Sequence, residues 1–158
     1  MSTAAPTKGT ASPPVPPGRR VLVVNEPGPA GRAALDLARE LDLTERAALT
    51  VVGVAPTARS GPRCGGSARE FNATVREVVE SELDEARVRL GRVAGRTDYA
   101  LLIEGDDPPL EAWIAGRNFD LVLLPARRRL LRSPGHPAAA RLRRATDAEI
   151  RVVQRPVD

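Results

Sequence analysis

The fold class the sequence predicts is α/β, an open and mostly parallel sheet with helices on both faces, and three observations carry it. Short unbroken apolar runs rich in valine recur, VLVV at 21–24, LTVVGVA at 49–55 and LVLL at 121–124. Strands covered on both faces read this way, whereas half-exposed strands alternate. Between the runs lie stretches with apolar residues at helical spacing, such as Ala34, Leu37, Ala38 and Leu41. Strands that alternate with helices are joined by right-handed crossovers, which make neighbouring strands parallel. The 158 residues are about the size of one domain with its own core.

The elements run in order along the chain. Residues 1–18 are Pro, Ser, Thr and Ala with little to bury, and are expected to form a flexible tail ahead of one domain over 19–158. The first strand spans RRVLVVNE, and PGPAG ends it. The helix AGRAALDLARELD and the strand ALTVVGVAP come next. TARSGPRCGGS is a glycine-rich loop, followed by a long helix closing at Gly95, with Phe71, Val75, Val78, Val79, Leu83, Ala86 and Leu90 as its apolar stripe. DYALLIEG is a strand. DDPPLEAWIAGRN is a helix with Asp107 as N-cap and prolines in its first turn. FDLVLLP, PAAARLRRAT and EIRVVQRP complete the series as strand, helix and strand.

Composition excludes several classes. A single cysteine, Cys64, forbids an intramolecular disulfide and a cysteine metal cluster, which fits a reducing cytoplasm. No apolar run approaches the roughly 20 residues of a membrane helix, so no membrane role is expected. The formal charge of +4 comes from arginine, because Lys8 is the only lysine. The scattered Trp, Tyr and two Phe offer no stacking platform, so nucleic acid is not an expected partner. Trp113 reads as core packing, and Cys64 as an exposed thiol in a basic loop.

In doubly wound sheets, ligands bind beyond the carboxyl ends of the strands, where strand order reverses. The loops to inspect are therefore 25–31, 55–67, 104–108 and 125–137. Glu104, Asp106 and Asp107 cluster in one of them, as turn and cap residues.

VLVVNEPGPAGRAALDLAREL, LTVVGVAP, LLIEGDDPPLEAWIAGRNFDLVLLP and EIRVVQ resemble, in this order and spacing, the universal stress protein family, over roughly residues 19–155. The resemblance implies a five-stranded sheet of order 3-2-1-4-5, an adenine nucleotide alpha hydrolase-like fold, frequent ATP binding, and dimerisation through the last strand. Glu26 falls where the family has its Asp. The family's phosphate motif is Gly, two residues, Gly, nine residues, then Gly with Ser or Thr. Here that region reads PARRRLLRSPGHP, with Pro125 and Arg128 near the first glycines and Gly135 with His136, or His136 with Pro137, near the final pair. Proline has no amide and arginine brings bulk where glycine lets backbone approach phosphate, so the usual cradle is lost.

The expectation is a non-enzymatic, cytoplasmic stress-response module that acts by protein association, without cofactor. It pairs as a homodimer through its C-terminal strand and meets a further, unidentified protein partner. Two alternatives stand beside it. In one, ATP or AMP, or another anion, still binds, with Glu26 toward ribose, Val54 beside the base, Arg127 and Arg128 toward phosphate, and His136 and the helix end near Pro137 closing the site. In the other, the chain is a weak nucleotide hydrolase.

Overall fold

The computed structural model describes residues 18–57, 67–129 and 132–157. Cys64 and residues 1–17 of the expected tail lie outside the described residues. The order of elements is β1 (Arg20–Val24), α1 (Pro29–Glu45), β2 (Ala48–Ala55), α2 (Ser67–Leu90), β3 (Asp98–Ile103), α3 (Leu110–Ala115), β4 (Leu121–Pro125), β5 (Arg127–Arg129), β6 (Arg132–Gly135), α4 (Ala139–Ala145) and β7 (Glu149–Val153). Five strands form one parallel sheet of order β3-β2-β1-β4-β7, the order expected, with β7 as fifth strand.

Burial on both faces explains the unbroken apolar runs. Along β1, Val21 and Val23 face one core with Ala34, Leu35 and Ala38 of α1 and Leu83, Ala86 and Leu90 of α2. Leu22 and Val24 face the other, with Ile114 of α3 and Leu142 of α4. The interior strand β4 divides in the same way, with Leu121 and Leu123 on the first face and Val122 and Leu124 on the second. Gly53 lets α2 lie close, since a Cβ there would come within 2.7 Å of a Val79 methyl. Two ion pairs clip α1 to the end of α2 and to the turn beyond it. Arg89 is bidentate to Asp36 at 2.8 and 2.7 Å, and Arg96 Nε lies 3.1 Å from the buried Asp42 carboxylate.

Four local expectations are corrected. The stripe on α2 does not pack along its whole length: Val79, Leu83, Ala86 and Leu90 are buried, but Phe71 and Val78 are about half exposed. A helix of 24 residues runs about 36 Å, while the eight residues of β2 span about 26 Å, so the first turns of α2 overhang the sheet. The α-helix also stops at Leu90, not Gly95, because Gly91 takes a positive φ of 58° and the chain continues as a 3-10 turn over Gly91–Arg96. Asp107 is not the N-cap of α3, which starts at Leu110 without a side-chain cap; its carboxylate accepts the Ile103 amide at 2.7 Å and closes the turn after β3. The arginine run after β4 is not open loop: β5 and β6 pair antiparallel, Arg127 opposite Gly135. Trp113 packs as expected, its ring 6.1 Å from that of Phe119.

Candidate functional site

The chain leaves β1 for β2 on one side and returns through β3 to β4 on the other, so strand order reverses between β1 and β4. Glu26 follows the carboxyl end of β1, and Arg127 follows that of β4. Three of the five site residues expected from sequence meet there. Arg127 grips the Glu26 carboxylate with both arms of its guanidinium, Nε at 3.1 Å from Oε2. His136 Nε2 lies 2.8 Å from Glu26 Oε1. The imidazole is 5% exposed, the carboxylate 18% and the guanidinium 53%, so the cluster is anchored from below and wet above.

The tautomer of His136 is set by its second contact. The amide of Ala138 donates to Nδ1 at 3.0 Å, so Nδ1 holds a lone pair and the ring hydrogen sits on Nε2, donated to Glu26. This leaves fewer donors for the anion expected at the helix end near Pro137. Proline has no amide, the Ala138 amide is taken by His136 Nδ1, and the Ala139 amide bonds the His136 carbonyl at 3.1 Å. Two of the donors at this helix end are therefore spent inside the chain.

Burial pushes the Glu26 carboxyl upward, but the hydrogen bonds from His136 and Arg127, with the guanidinium charge, outweigh it and hold the group below its ordinary value. The same pair keeps Arg127 firmly charged. Val54 stands apart, half-buried near the end of β2 against the α3 and α4 side of the core. Arg128 contributes backbone to β5, and its side chain lies outside the described residues. The acids after β3 serve the turn: Thr57 Oγ1 donates to the Glu104 carbonyl at 2.9 Å. Among the described residues no group of His, Cys, Asp and Glu is arranged to hold a metal ion. Sequence reasoning passed over Asn25, a polar residue that continues the buried run of β1 and is itself 8% exposed. Its signal was present, since a polar residue in line with VLVV breaks the pattern.

No family model matches the chain, and no curated protein matches it in sequence. Solved structures do match in fold. A protein of the universal stress protein family from Burkholderia pseudomallei is 22% identical with a TM-score of 0.62, the match covering 84% of this chain and 93% of that one. A universal stress protein from Lactobacillus plantarum is 15% identical with a TM-score of 0.68, covering 87% and 98%. A universal stress protein family protein from Arabidopsis thaliana with AMP bound is 12% identical with a TM-score of 0.52, covering 89% and 94%. At these identities the likeness is one of fold, and it spans nearly the whole of each relative.

Proposed function

We propose that this chain, built on the universal stress protein fold, is a non-enzymatic stress-response module that acts by associating with protein, and that its switch-point crevice is closed to ATP by its own side chains. One observation carries the reading. Glu26, Arg127 and His136 pair with one another where strand order reverses, and His136 consumes an amide that a phosphate would need. A ligand that needs the Glu26 carboxylate has to displace the Arg127 guanidinium and the His136 imidazole from it first. Calorimetric titration of the full chain with ATP and with AMP is expected to give millimolar binding or none. Micromolar binding would overturn the reading.

The second reading is nucleotide binding, favoured by the relative that holds AMP and by the half-exposed guanidinium of Arg127. In it Glu26 turns toward ribose, Val54 lies beside the base, and Arg127 and Arg128 reach phosphate. Micromolar AMP affinity that disappears on changing both arginines to Ala is its signature. Hydrolysis ranks below both, and phosphate release from ATP is expected to match buffer.

The assembly belongs to the same proposal. Among the described residues β7 is an edge of the sheet, with β4 on its one paired side, so its other side carries free backbone donors and acceptors. Pairing with a twofold mate satisfies them across an isologous interface. Arg151 does not oppose this, because its guanidinium lies 2.8 Å from Glu149 of the same strand and its charge is met at home. Val152→Asp is expected to convert a dimer mass to a monomer mass by light scattering at micromolar protein. Val152 also touches the core beneath, so circular dichroism must show the variant folded. A wild-type monomer mass removes the dimer.

A further inference from the structure

A second cleft, of about 350 Å³, opens on the α1 and α2 side of the sheet, lined by Asn25, Gly28 and Arg32 at one wall and Glu82, Glu85 and Val88 at the other. Its volume is at the lower end of small-molecule sites, about 300 Å³ and upward. Arg127 and His136 are not part of its wall; Glu26 borders both places, and its carboxylate is already engaged.

The residues around this cleft are under-used. Asn25 is more than nine-tenths buried and lines the cleft, and its side chain makes no hydrogen bond with the described residues. Among the described residues no fully buried side-chain nitrogen or oxygen lacks a partner, so the Asn25 carboxamide, unbonded to protein, opens its polar atoms into the cleft, where a ligand can meet them. Arg32, Glu82 and Glu85 likewise have no ion pair among the described residues. α1 starts at Gly28 without a side-chain cap and without an acid in its first turn, so its positive end is not neutralised. Opposite stand the two glutamates of α2. The floor between them is apolar, from Leu35 and Ala86, and the rim carries Val88, 82% exposed.

We propose that this cleft binds a small zwitterion of the α-amino acid class with an aliphatic side chain. The carboxylate meets Arg32 and the first turn of α1, the ammonium meets Glu82 and Glu85, and Asn25 offers a donor and an acceptor between them. The aliphatic group covers Leu35 and Ala86 under Val88. Burial and the neighbouring Glu85 and Glu26 charges hold the Glu82 carboxyl above its ordinary value, a crowding of negative charge that an ammonium relieves.

Calorimetry on the full chain tests the site with L-leucine, with 4-methylpentanoate, which lacks the ammonium, and with 3-methylbutylamine, which lacks the carboxylate. Leucine is expected to bind at one equivalent, and each truncated analogue about tenfold or more weakly, the worth of one charge-assisted contact. Arg32→Ala, and separately Glu82→Gln with Glu85→Gln, are expected to weaken leucine by a similar factor. These side chains are half-buried or exposed, so melting temperatures should stay near wild type and separate lost binding from lost folding. Silence toward millimolar leucine, an amine that binds as tightly as leucine, or variants that bind like wild type would each overturn the proposal. The result is independent of the ATP and AMP titrations, which report on the other side of Glu26.

Discussion

Gly31→Ala is expected to lower the melting temperature by about 10 °C, the equivalent of about 3 kcal/mol in a domain of this size. Gly31 lies in the first turn of α1, and a Cβ there would overlap the carbonyl oxygen of Glu26 and sit 2.9 Å from its carbon. Both partners of that clash are backbone, so no rotamer change relieves it. Glu26 cannot easily retreat, because the preceding amide of Asn25 donates to Val52 of β2 at 2.8 Å. Either α1 lifts off the sheet and opens the core around Ala34 and Leu35, or the chain after β1 shifts and pulls the Glu26 carboxylate from Arg127 and His136. Gly95→Ala is the control. A Cβ at Gly95 meets nothing within 4 Å, and its melting temperature should stay within a degree or two of wild type. A Gly31→Ala protein that melts with the wild type would show that α1 and the end of β1 are far less tightly fitted than these contacts imply.

The second large effect is expected from Glu26→Gln. Glutamine keeps an acceptor near the imidazole and the guanidinium but removes the charge both were satisfying. The expected stability loss is about 2 kcal/mol, most of it from the buried His136 contact, since water screens the half-exposed Arg127. Because the Glu26 carboxyl is held below its ordinary value of 4.5, its contribution is complete above that pH and is lost as pH falls through the lowered value in the folded protein. The gap between wild type and variant in urea midpoint should therefore be full at neutral pH and close well below pH 4.5. A gap that persists in acid would mean that the carboxylate charge is not what stabilises. The same variant divides the two functional readings. If Glu26 plugs the crevice, releasing Arg127 makes AMP bind more tightly than to wild type; if Glu26 holds ribose, AMP binds more weakly.

The architecture was legible in the sequence for a local reason. VLVV and LVLL have no polar alternation, and only strands covered on both faces tolerate that, so parallel strands with crossover helices could be inferred from residues adjacent in the chain. The loops 25–31 and 125–137 were also legible, because the end of the first strand and the loop after the fourth must converge in a doubly wound sheet, and within them the resemblance to the universal stress protein motif pointed to Glu26, Arg127 and His136. What the three do once together was not legible. Glu26 and Arg127 are 101 positions apart, Glu26 and His136 are 110, and no periodicity connects them. A guanidinium in a loop pairs with whichever acceptor the strand order brings within reach, and sheet order and side-chain rotamers decide that after the chain has folded. The same limit hid the overhang of α2, where a sound helical stripe runs past the end of the sheet that would have buried Phe71. The sequence by itself determined which segments must be buried and on how many faces, because burial pattern is a property of neighbouring residues. Only the tertiary structure decided that an acid expected to face a ligand is held by an arginine and a histidine of its own chain, because that depends on distances between segments that no local pattern encodes.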